Sequence, residues 1–69
     1  MAVLKLTVNG EATEIPAGAT VRALLEQLAL TSGPVAVEVN RAIVTRAEHA
    51  THALNDGDVV EIVHLVGGG

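Results

Sequence analysis

The sequence predicts an α+β domain: a mixed sheet of four to five strands with one helix packed across one face, in the order strand, strand, helix, strand, strand, strand. Three observations carry this. Val3 to Val8 alternates, with Leu4, Leu6 and Val8 on one face and Val3, Lys5 and Thr7 on the other, and it runs into Asn9-Gly10, the strongest short hairpin signal. Val21, Leu24, Leu25 and Leu28 recur at the i, i+3, i+4, i+7 spacing of a single helical stripe. Val59 to Leu65 reads as a final strand leading to Val66 and three glycines.

Taken in order, the first strand turns at Asn9-Gly10, where both residues tolerate the positive φ of a type I′ turn, and Glu11 to Ile15 returns antiparallel. Pro16 and Gly18 break that pattern. Thr20 is placed to cap the helix, its hydroxyl accepting from a free amide of the first turn. Arg22, Glu26 and Gln27 fall away from the apolar stripe. The helix fades around Leu28 to Leu30, ahead of Thr31-Ser32-Gly33-Pro34; at about nine residues it needs the sheet to hold it. Val35 to Val39 alternates again, with its three valines toward the helix and Glu38 toward water. Asn40-Arg41 turns into a short strand, Ala42 to Val44. Thr45 to Leu54 has no stable period and reads as loop, with one helical turn near Glu48. Asn55-Asp56-Gly57-Asp58 is rich in turn-forming residues, and Val59 opens the last strand.

Length and composition narrow the function. A chain of 69 residues is one small domain, and such a domain buries only about 60% of the surface its unfolded chain exposes. It has no Phe, Tyr or Trp, so it lacks the stacking platforms of a single-strand nucleic-acid binder. Eight acidic residues against four basic ones give a net charge of −4, which opposes a phosphate backbone. A basic protein pocket is the more natural partner, because opposite charge accelerates encounter. Without cysteine there is neither a disulfide nor a thiolate metal site, as suits the cytosol. The N-terminus lacks the regions of a signal peptide, and no apolar run approaches membrane-spanning length. A soluble cytoplasmic protein is the expectation.

The division expected is a folded body over residues 1–65 and a flexible glycine tail over 66–69. Glycines at a chain end contribute no side chain to a core and carry the largest entropy cost on ordering. Four extended residues reach at most about 14 Å. That suffices to thread a carboxylate into a narrow cleft where a Cβ would collide. With Val60 and Ile62 inward, Val59, Glu61, Val63 and Leu65 lie on the open face or its edge. Val63 and Leu65 thus leave a small apolar patch beside the tail, which suggests a docking face.

The residues form a recognisable series. It comprises the Asn9-Gly10 hairpin, Gly18-Ala19-Thr20-Val21 opening a Leu-Leu helix, Val35 through Asn40, Ile43-Val44, Asp56-Gly57-Asp58, and Val60-Glu61-Ile62-Val63-His64 ahead of the closing glycines. Together these resemble the sulfur carrier family of thiamine biosynthesis, ubiquitin-like proteins of the β-grasp fold, over essentially the whole chain. The resemblance implies a substrate rather than a catalyst. An adenylating enzyme of the ubiquitin-activating type, using ATP and Mg²⁺ that the carrier itself does not bind, converts the terminal carboxylate to an acyl-adenylate. Sulfur from an upstream donor replaces AMP to leave a thiocarboxylate, and thiazole synthase takes that sulfur. On this sequence the reactive carbonyl belongs to Gly69, with Gly68 and Gly67 in the threaded tail and Val63, Leu65 and Val66 in the docking zone. The small subunit of molybdopterin synthase and ubiquitin-like modifiers end in Gly-Gly on the same fold and remain alternatives, as does a non-reactive β-grasp interaction domain.

Other sites carry less. No G-x-x-x-x-G-K phosphate loop is present. His49 and His52 are three apart, but two histidines in an irregular polar segment are expected to be solvated, and Glu48 or Asp56 as a third metal ligand is not evident. His64 reads as a strand-surface residue. The acids are scattered, and no intrinsic catalysis is expected.

Overall fold

A computed structural model describes residues 2–65. Its elements are β1 (Val3–Val8), β2 (Glu11–Pro16), α1 (Val21–Gln27), β3 (Val35–Val39), β4 (Ala42–Val44), a 3₁₀ turn (Arg46–Glu48) and β5 (Val59–His64). They form a five-stranded sheet in the order β2-β1-β5-β3-β4. β1 and β5 are parallel, and the other neighbours are antiparallel. The mixed sheet and its element order are those expected from the sequence.

Local chemistry explains most boundaries. Asn9 and Gly10 take φ of 49° and 83°, so the first hairpin closes through the type I′ turn whose twist matches its strands. β2 runs one residue further than expected. Pro16 pairs with Val3 on an edge strand, where a missing N–H leaves no ladder partner short. Thr20 caps α1, its Oγ1 accepting from the Ala23 amide at 3.3 Å. The helix stops at Gln27, short of the nine residues expected, because Ala29 enters the left-handed region at φ 58°. The Leu30 amide then donates to Leu25 O at 2.8 Å and the Ala29 amide to Glu26 O at 3.1 Å. These are the two bonds of a Schellman stop, here with alanine where glycine is usual.

The core lies between α1 and the inner face of the sheet. Val21, Leu24, Val37 and Val60 are almost completely enclosed, with Leu6, Ile15 and Ile62 around them. The aperiodic segment after β4 is ordered for a different reason. It crosses the start of α1 and supplies acceptors to two amides that a short helix would otherwise leave bare: Val21 N–H donates to His52 O at 3.0 Å and Arg22 N–H to His49 O at 2.8 Å. This crossing also buries His49, contrary to the solvated state expected of it. Its ring Nε2 lies 3.2 Å from Val44 O, so the buried imidazole is satisfied by the backbone.

Candidate functional site

The candidate site is the exit of β5, the strand that delivers the chain to its C-terminal residues. β5 sits in the middle of the sheet. On one side it pairs with β3 over five positions, from Val39↔Val60 to Val35↔His64, and Leu65 N–H extends the contact by donating to Pro34 O at 3.0 Å. On the other side β1 supplies only two residue pairs before it turns away at Asn9. The Asn9 side chain continues where the backbone leaves off. Its Nδ2 donates to Ile62 O at 3.1 Å and its Oδ1 accepts from Ile62 N–H at 2.8 Å. A side-chain amide thus stands in for the next peptide of β1.

The start of β5 is clasped in a similar way. Asn40 Oδ1 accepts from Val59 N–H at 2.9 Å, while its Nδ2 donates to the buried Asp58 carboxylate at 2.9 Å. The other Asp58 oxygen accepts from Asn55 N–H at 2.8 Å. On the β1 side, Asp56 accepts from Lys5 N–H at 2.7 Å and Gly57 N–H donates to Lys5 O at 2.8 Å. The start of β5 and its middle, at Ile62, are therefore held by asparagine side chains from type I′-like turns. Sequence periodicity carries no sign of these long-range bonds; the only hint was two asparagines at tight turns.

Of the expected docking residues, Val63 and Leu65 are both exposed, at 59% and 50%. The structure gives them different surroundings. Val63 stands opposite Ala36 on the open face of the sheet, with Val59 on its own strand and Ile43 on β4 also exposed. Glu38 and Glu61 are directly opposed between these apolar residues, a like-charge pair, and Arg41 lines the hollow beside them. Leu65 instead lines an open groove of about 450 Å³ between α1, the α1–β3 loop and residues 46–50. Val66, Gly67, Gly68 and Gly69, expected to complete the docking zone and the threaded tail, lie outside the described residues.

Thr45 donates to the Glu48 carboxylate from its hydroxyl at 2.9 Å and from its amide at 3.2 Å. These bonds, the hydroxyl's first, hold the Glu48 pKa below its usual value, and the nearby His52 adds to the effect. No group of three His, Cys, Asp or Glu side chains able to hold a metal occurs among the described residues. No helix among them is long and apolar enough to cross a membrane.

A family model for the ThiS family matches residues 6–69. The chain is 35% identical over 66 residues to the sulfur carrier protein ThiS of Escherichia coli, an alignment covering 96% of this chain and 100% of that one. It is 48% identical over 66 residues to a thiazole synthase of Paramagnetospirillum magneticum, covering 96% of this chain but 20% of the relative, so it spans about a fifth of that protein's length. The crystal structure of a thiamine biosynthesis protein (ThiS) from Geobacter metallireducens matches with a TM-score of 0.80 at 32% identity, covering 96% of this chain and 100% of that one.

Proposed function

The chain belongs to the ThiS family of ubiquitin-like sulfur carriers, and from that premise we propose that it carries sulfur for thiazole formation in thiamine biosynthesis as a thiocarboxylate on Gly69. The observation that carries this reading is the extent of the family match, which runs through residue 69 and so includes the three closing glycines.

A carboxylate is a poor acyl donor because it is anionic and has no good leaving group. In the proposed sequence a Gly69 carboxylate oxygen attacks the α-phosphorus of ATP and pyrophosphate departs. Sulfide-level sulfur released by an upstream donor then adds as HS⁻ to the acyl-adenylate carbonyl, the carbonyl C–O bond to AMP breaks and AMP departs, and loss of the S–H proton leaves the thiocarboxylate. Thiazole synthase accepts the sulfur. The adenylating enzyme, of the ubiquitin-activating type, supplies Mg²⁺ and the phosphate-binding groups. This chain supplies the reactive carbonyl, the narrow tail of Gly67 and Gly68, and docking contacts at Val63, Leu65 and Val66. It is a substrate in each step, working in the cytoplasm. The relative named as a thiazole synthase, one fifth of which aligns with this chain, supports the pairing of carrier and synthase. The clasping of β5 supports it as well, because a firmly placed exit strand fixes where a threaded carbonyl arrives.

The test is intact mass after incubation with ATP, Mg²⁺, a sulfur donor and the adenylating enzyme. The expected shift is the exchange of one oxygen for sulfur, confined to the C-terminal peptide. An unchanged mass, with an enzyme shown to be active on another carrier, overturns the proposal. Reconstituted thiazole synthesis from the thiocarboxylate then separates the thiamine pathway from dithiolene formation.

A further inference from the structure

We propose that the groove beside Leu65 receives an apolar side chain flanked by a carboxylate on a partner that handles the tail, giving this carrier a second docking surface distinct from its open sheet face. The inference rests on the carrier function proposed above and adds to it the chemistry of a contact.

Position is the first argument. Leu65 lines the groove, and its amide is bonded to Pro34 O, so whatever sits there touches the root of the tail. The groove wall is also well fixed. Leu25 is buried in α1, and the Schellman stop ties Leu30 to the Leu25 carbonyl at 2.8 Å.

The lining supplies the second argument. Leu25, Leu30, Val35 and Leu65 present apolar surface, and Arg22 and Arg46 present the charge. The chain holds four Lys and Arg residues and eight Asp and Glu. Two of those four cations line this groove, and none of the eight acids does. Arg46 makes no ion pair among the described residues, and Arg22 makes one exposed contact with Glu26 at 3.5 Å that water can readily replace. A protein of net charge −4 therefore places half of its cationic side chains at this spot, where they attract a carboxylate.

A small polar metabolite fits less well than a protein side chain. Ligand sites aim buried polar groups inward, whereas His49, the buried polar side chain at this groove, is already directed to Val44 O. An open apolar trough with a guanidinium rim matches the core-and-rim pattern of a protein contact.

The test is the double charge reversal Arg22→Glu with Arg46→Glu, both at exposed positions, read in steady-state adenylation and in sulfur transfer to thiazole synthase. The expected result is a KM raised about tenfold with one of the two enzymes, kcat little changed, and a flatter dependence of KM on salt. The Arg22→Lys, Arg46→Lys variant should keep a KM close to that of the unaltered chain. Thr31→Trp, which narrows the groove without changing charge, should raise the same KM and guards against a folding defect in the reversal. If both the reversal and Thr31→Trp keep the unaltered KM with both enzymes while mass spectrometry shows full thiocarboxylation, the groove proposal is overturned and the carrier function stands. If the unaltered chain is never thiocarboxylated, the carrier function falls and this inference with it.

Discussion

Replacing Asn9 tests the claim that a side-chain amide completes the central ladder. Asn9→Ala removes two hydrogen bonds to Ile62, each contributing about 1 kcal/mol net. It also forces a Cβ residue without a local polar side chain to hold φ of 49°, which costs about 1 kcal/mol more. The sum is about 3 kcal/mol. For a 69-residue domain the whole stability is on the order of 3–10 kcal/mol, so the loss is a large share of it. At about 4–8 °C per kcal/mol, the melting midpoint should fall by about 12–24 °C. Asn9→Gly separates the two causes, because glycine accepts the positive φ and loses only the bonds; it should cost about 2 kcal/mol. Urea denaturation with linear extrapolation gives both values, and the slopes should match that of the unaltered chain. If alanine proves no more costly than glycine, the backbone argument is wrong. If both lie within about 0.5 kcal/mol of the unaltered chain, the clasp contributes nothing.

Three further outcomes follow from particular residues. Ala29→Gly relieves a left-handed alanine at the helix stop and should stabilise by about 0.5–1 kcal/mol, the strain removed outweighing the added freedom of the unfolded chain; a lowered midpoint contradicts that balance. The Glu48 carboxyl should titrate below its ordinary value of 4.5 in an NMR pH series, and Thr45→Val should move it back up without fully restoring it, since the Thr45 amide still donates. Because the folded pKa is the depressed one, this group's contribution to stability is complete above the unfolded value and is lost as pH falls through the folded one; Glu48→Gln should flatten that acid limb. Removing Gly68 and Gly69 should abolish thiocarboxylation while leaving the midpoint nearly unchanged, since glycine brings no side chain to a core, and among the described residues the core runs from Leu4 to Ile62.

Much of the fold was legible because it depends on neighbours in sequence. Alternation in Val3 to Val8 and Val35 to Val39 gave their inward faces, Asn9-Gly10 gave its turn, and Thr20 gave its cap. What could not be read were contacts between distant residues. Periodicity assigns a face to a strand but not a neighbour, so it did not place β5 between β1 and β3 or bring Asn9 to Ile62. The burial of His49 escaped for the same reason: its segment has no repeat, and it is ordered by lending carbonyls to the start of α1. The run Thr31-Ser32-Gly33-Pro34 predicts a helix that fades around Leu28 to Leu30, whereas Ala29, a residue with no turn signature, supplies the stop after Gln27. At the site, the exposure of Val63 and Leu65 followed from strand parity. Their separation onto two surfaces, the open sheet face and the groove lined by Arg22 and Arg46, did not.

The strand that carries the chain outward is also the one gripped from both flanks, at its start and again at Ile62. A force applied beyond Leu65 by an enzyme drawing in the terminus would meet the β3 ladder and the Asn9 clasp acting together in shear, so no single bond would bear it alone. In the proposed cycle the carrier is held by its end during activation and let go again without coming undone. For the proposed cycle of loading and delivery, such resistance to tugging matters as much as the chemistry at the end of the chain.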